Sequence, residues 1–195
     1  MLHRIYVMEP RTLCLLLMLA LAGWTALCRQ LPAKMRGILN ALLFCVAVGT
    51  ILCATLLLRT PGTYTAVLTP FAALAAARQQ PELYREMLMN VFLFFPLGLT
   101  LSNALPQGWH FWRRLALTTL TGCILSAWIE YAQYRFALGV AETDDVICNT
   151  LGAFVGATSL LLTHAMDNHK ERPMTMTLTA TETQFLHIAK AAVSG

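Results

Sequence analysis

The chain has 195 residues, of which 57% are hydrophobic and only 12% charged. A soluble domain of this size carries about a quarter charged residues, so the composition excludes an ordinary water-soluble fold and points to a bilayer. The formal net charge of +4 suggests contact with anionic lipid headgroups. The Lys and Arg residues sit mainly in short loops, which leaves no nucleic-acid surface.

Five apolar runs follow in chain order. The first, LCLLLMLALAGWTAL at 13–27, resembles a signal-peptide core, but Cys28-Arg29-Gln30 is a poor cleavage site, so it reads as a slightly short anchor. The second runs from Ile38 to Leu58 between charged flanks. A long link, Arg59 to Arg85, comes next. Its first part holds Pro61, Gly62 and Pro70 and reads as irregular; AALAAARQQPELYREM reads as a short interfacial helix with a cap near Gln80-Pro81. The third run spans Met87 to Leu105, the fourth Leu115 to about Phe136, and the fifth Val146 to His164. Each is close to the ~20 residues that cross a hydrocarbon core. Lipid offers no partner to backbone polar groups, so runs this long and continuous must be helices. The tail after Ala165 is polar and rich in threonine, and reads as disordered or loosely held at the surface.

The predicted fold is therefore all-α: an integral-membrane bundle of about five transmembrane helices with one interfacial helix. It divides into two N-terminal helices (1–58), a core of the interfacial segment and three helices (59–164), and a polar tail (165–195). Orientation follows loop Lys and Arg. The links holding Arg29, Lys34 and Arg36, and Arg113 and Arg114, are short and basic, and the 136–145 link is acidic. That density predicts an outside N-terminus and a cytoplasmic tail.

Cys14, Cys45, Cys53 and Cys123 fall inside apolar runs and read as small buried residues; no Cys-x-x-Cys or Cys/His cluster exists, and the histidines are scattered. No metal and no cofactor is expected. No nucleophile–base motif stands out, which leaves enzymatic activity undetermined.

Ionisable and amide groups in lipid are costly and usually face the bundle interior or a watery cavity. On the fourth run, Ser126, Glu130 and Gln133 are spaced four and three apart and share one helix face. Two readings are open: a hydrogen-bond network that fixes packing, or a site for binding or proton handling. On the fifth run, Asp145, Asn149, Gly152 and Gly156 form one stripe. Asp144 and Asp145 suit the positive end of the helix dipole. Gly152 and Gly156 make a GxxxG, read first as a packing contact. The short 137–144 link makes the two helices antiparallel neighbours, so Glu130 and Asp145 should meet in one polar cluster with Asn149 and an Arg. Asn90 on the third run could join it, and Pro96 should kink that helix. Arg59 and Arg135 are the candidate cations.

NVFLFFPLG, then SxxIExxQ, then DDxxxNTLGxxxG, in this order and at these separations, resembles the VanZ-like family over about 59–162. The resemblance maps the family's polar and small positions onto Asn90, Pro96, Gly98, Ser126, Glu130, Gln133, Asp145, Asn149, Gly152 and Gly156. The family often has an Arg between the Gln and the acidic turn; this chain has FALGVAETDD there, with Gly139 near the expected place. The family is named for a protein that lowers susceptibility to the glycopeptide teicoplanin. The resemblance implies a multi-pass protein of the bacterial cytoplasmic membrane that binds or handles a lipid-linked glycan or a lipid-like ligand. Expected partners are membrane lipids or cell-envelope machinery. The expected ligand-binding set is Arg59, Asn90, Ser126, Glu130, Gln133, Arg135, Asp145 and Asn149, with an Arg on phosphate. The alternative is a non-catalytic accessory protein whose polar residues only fix helix packing.

Overall fold

The computed structural model describes residues 10–161, apart from Thr60, Thr63, Arg78 and Gln107. The chain divides into two units, Met1–Leu160 and Leu161–Gly195, and the fold described is that of the first. The predicted tail and the end of the fifth predicted span lie outside the described residues.

Six α-helices dominate the described residues. They are α1 (Pro10–Gln30), α2 (Ala33–Leu52), the short α3 (Ala72–Ala77), α4 (Pro81–Ala104), α5 (Phe111–Arg135) and α6 (Thr143–Ala157). Among the described residues, three stretches are long and apolar enough to cross a membrane: Lys34–Leu57, Glu82–Ala104 and Phe111–Arg135. α1 and α6 are also apolar but fall outside that set, so the described residues hold three candidate spans by length and composition where the sequence suggests five.

Prolines and small residues set the boundaries. Pro81 occupies the first turn of α4, where its missing N–H costs nothing, and Gln80 before it is extended. The stretch read from sequence as one interfacial helix is therefore split. Ala72–Ala77 stands alone, and PELYREM belongs to α4. Pro96 lies inside α4, and the Thr100 hydroxyl donates to its carbonyl at 2.7 Å. At the end of α2 the chain widens into a π-helical turn, Cys53–Leu57, closed by Leu58 N–H donating to Cys53 O at 3.0 Å. This turn delivers Arg59.

Two three-residue strands, unforeseen in a fold read as all-α, pair in parallel: β1 (Thr65–Val67) with β2 (Val140–Glu142), in register Thr65↔Val140 and Val67↔Glu142. They tie the long link to the α5–α6 connection. α5 ends in a Schellman motif. Leu138 N–H donates to Gln133 O at 2.8 Å, Ala137 N–H to Tyr134 O at 3.3 Å, and Ala137 takes φ 52°.

The core is built by Ala47, Ile51, Phe94, Leu97, Ile129 and Ala153 from α2, α4, α5 and α6. α4 and α6 run parallel with their backbones in contact. A Cβ on Gly98 would overlap the Ala153 backbone, and one on Gly152 or Gly156 would overlap the α4 backbone at Val91 or Phe95. The GxxxG is thus a packing seam, and only glycine permits so close an approach. Asn40, fully buried, links α1 to α2: it accepts from Trp24 Nε1 at 3.1 Å and donates to Arg36 O at 2.8 Å.

Candidate functional site

The helix ends that converge near the two strands carry most of the polar residues singled out in sequence. Asn90, on α4, donates from Nδ2 to Asp145 Oδ1 at 2.7 Å. Asp145 sits in the first turn of α6, where the helix dipole favours a carboxylate. Glu130, nearly at the end of α5, accepts at Oε2 from the Glu142 backbone N–H at 2.9 Å. Glu130 therefore anchors β2 beside Asp145, within electrostatic reach of it and of Arg59.

These groups surround a cavity of about 380 Å³ lined by Arg59, Glu86, Asn90, Glu142 and Asp145, with Met89 and Val140. Arg59 reaches it from beyond the π-turn and packs over Gly139, where a side chain would collide with the guanidinium. In the bare link before the acidic turn, the positive charge therefore comes from the end of α2 and not from the local sequence. Among the described residues no direct ion pair joins Arg59 to the carboxylates, which face it across the cavity. Burial, then the charges of Asp144 and Glu86, raises the Glu142 carboxyl above its ordinary range, and Arg59 pulls it back down.

The remaining predicted residues separate from this cavity. Asn149 Nδ2 donates to Ser126 Oγ at 2.8 Å, a buried α5–α6 pair. Gln133 Nε2 donates to Thr55 O at 3.0 Å, satisfying a carbonyl of the π-turn. Gln133 Oε1 and Asn149 Oδ1 are buried without a partner among the described residues. Arg135 is exposed and takes no part in the cavity lining. The predicted octet is thus three things: a cavity wall (Arg59, Asn90, Asp145, with Glu130 behind it), two packing bonds (Ser126, Asn149, Gln133), and an exposed arginine.

Glu86 and Glu142 are absent from the sequence candidates, and Asp144, singled out only for its place at the helix dipole, does more than that. Glu86 and Glu142 line the cavity. Neither carries a motif or a helical spacing that marks it, and the fold brings both to the cavity wall. Asp144 is 4% exposed and accepts two backbone N–H groups, from Phe71 at 2.5 Å and Ala73 at 2.6 Å. It pins the start of α3, where Phe71 takes φ 62°, and so ties the long link to the start of α6. Adjacent Asp144 and Asp145 divide the labour: one fastens the link, the other faces the cavity.

Residues 41–164 match the family model VanZ/LLP1. The chain belongs to the VanZ/LLP1 family. A curated VanZ/LLP1 relative, Protein VanZ of Enterococcus faecium, is 35% identical over 105 residues, covering 53% of this chain and 57% of the relative. The chain therefore spans a little over half the length of that relative. No solved structure matches. The VanZ/LLP1 region contains the π-turn, both strands, α3 to α6 and every residue of the cavity.

Proposed function

We propose that this VanZ/LLP1 protein is a multi-pass protein of the bacterial cytoplasmic membrane, with α1 and α6 adding two spans to the three candidate ones. In this reading it binds a lipid-linked glycan or another lipid-like ligand by its head group. The observation that carries the reading is the cavity itself, in which a guanidinium, three carboxylates and an amide face open volume at the ends of apolar helices. Charge in a membrane bundle without a direct partner marks a ligand or ion path by default. An apolar groove of about 470 Å³ between α1, α2 and α4 adjoins it, and Met89 lines both. A head group in the first and a hydrocarbon chain in the second would make one amphiphile. A role in envelope susceptibility to glycopeptides fits such lipid handling.

The packing alternative has support of its own in Ser126–Asn149 and Gln133–Thr55, which are buried and paired. It does not account for charges around a void.

The test is native mass spectrometry of the full chain, extracted with its surrounding lipid and then stripped by mild activation. A lipid retained by the wild type and lost by Arg59→Met is expected, because Arg59 is exposed and its replacement leaves the helices intact. Identical lipid retention in both proteins would overturn the reading.

A further inference from the structure

The charges around the cavity are unequal in number. Among the described residues, Glu86, Glu142 and Asp145 line it against a single guanidinium, that of Arg59, and Glu130 stands within electrostatic reach of Arg59 and Asp145. A head group bearing only phosphate would bring further negative charge to a place where negative charge is already in excess. The sequence-based expectation of an Arg on phosphate accounts for Arg59 and assigns no role to Glu86 and Glu142.

The hydrogen-bonding capacity is unequal too. Asp145 uses one oxygen on Asn90, and Glu130 uses one on the Glu142 N–H. The carboxylates of Glu86 and Glu142 accept no hydrogen bond among the described residues. Ionised carboxylates are acceptors only, so the wall asks for a donor-rich cation; a primary ammonium has three N–H donors, and a quaternary one has none. Such a group would meet two or three carboxylates at once, and charge-assisted bonds of this kind are the strong ones.

The second feature is the junction at Met89. The neighbouring groove is lined by Trp24, Val46, Met89, Leu93, Pro96 and Leu99 among others, and is almost wholly apolar. It takes a hydrocarbon chain. Met89 lines both this groove and the charged cavity, and a charged site beside an apolar one suits a phospholipid, with the head at the interface and the chain along the bundle.

Granted the proposed reading that the cavity holds a lipid head group, we infer that this head group is zwitterionic: the ligand is a bilayer phospholipid with a primary amine. Its ammonium lies among Glu86, Glu142 and Asp145, its phosphate on Arg59, and an acyl chain in the Met89 groove. This inverts the usual logic of phosphate recognition, since the carboxylates select the lipid and the arginine completes the match.

The experiment uses the full chain reconstituted in vesicles of equal parts phosphatidylethanolamine, phosphatidylcholine and phosphatidylglycerol, with the tightly held lipid read by native mass spectrometry. Phosphatidylethanolamine should be enriched about tenfold over either competitor, the equivalent of one charge-assisted bond. Glu86→Gln with Glu142→Gln should abolish the enrichment. Should the double variant fail to fold, Glu86→Gln alone, at an exposed position, should reduce it severalfold. Phosphatidylglycerol or phosphatidylcholine held as well as phosphatidylethanolamine, in an Arg59-dependent manner, overturns the amine and leaves the lipid-binding reading standing. No lipid held by the wild type overturns both.

Discussion

The two ends of the bundle treat polar residues in opposite ways. At the end away from the strands, Ser102, Asn103, Arg114 and Ser159 are all buried. Arg114 donates from Nε and Nη2 to Ser102 O at 3.2 and 2.6 Å, crossing from the start of α5 to the last turn of α4, where a cation suits the dipole. Asn103 Nδ2 donates to Leu99 O at 2.7 Å and to Ser159 Oγ at 3.0 Å. Those donors find protein acceptors, while Arg36 Nε, within electrostatic reach of Arg114, is buried without a partner among the described residues. At the other end Arg59, Glu86, Glu142 and Asp145 face a cavity and do not close on one another. Polarity in a membrane helix therefore does not by itself mark a site. What distinguishes the two ends is charge facing a void against polarity sealed by protein acceptors.

The scaffold shared by both ends offers the largest expected effect. Gly98→Ala forces a methyl into the Ala153 backbone and should cost on the order of 3 kcal/mol, read as thermal unfolding in detergent. Both ends should loosen together. Loss of lipid retention without loss of stability would mean that the seam serves the cavity alone.

A paired comparison separates the ends. Asn103→Ala removes two hydrogen bonds from the sealed end and should cost about 1–2 kcal/mol, with lipid retention unchanged. Glu86→Gln at the open end should move stability by no more than about 0.5 kcal/mol while lowering lipid retention. Equal effects of the two variants on both measurements would erase the distinction.

The smallest effect is a pH dependence. The Glu142 carboxyl is raised from 4.5 in the folded protein, chiefly by burial. The native state then holds that proton more tightly than the unfolded chain, so stability falls as pH rises from about 4.5 through the folded value. Glu142→Gln removes this loss. The wild type should therefore become progressively less stable than the variant above that pH, in melting curves taken at several pH values. Parallel curves would show that the carboxyl is not perturbed.

Much of this was legible in the sequence, for physical reasons that also explain the rest. Long apolar runs have few alternatives in lipid, so α2, α4 and α5 could be read directly. Helical spacing of three and four fixed the face shared by Ser126, Glu130 and Gln133. The short acidic link brought Glu130 and Asp145 together, and the structure places each within electrostatic reach of the other. Partner choice was not legible. Gln133 turns to a carbonyl of the π-turn across 78 positions, because that turn exposes Thr55 O there. Asp144 bonds residues more than 70 positions away. Strands of three residues carry no alternation to detect, and β1 sits in a stretch where Pro61, Gly62 and Pro70 suggested no regular structure. Glu86 and Glu142 became cavity residues only through those strands and the start of α4 at Pro81.

Reactivity of single cysteines toward a charged maleimide tests the contrast most directly. The six native cysteines are first replaced by alanine, and the protein is placed in nanodiscs so that both faces meet the reagent. Glu86→Cys, on the cavity wall, should label readily, and Ser102→Cys, 0% exposed within the sealed network, should resist until the protein is unfolded. Rapid labelling at Ser102→Cys, or protection at Glu86→Cys equal to it, would contradict the account of one open charged end and one closed polar end.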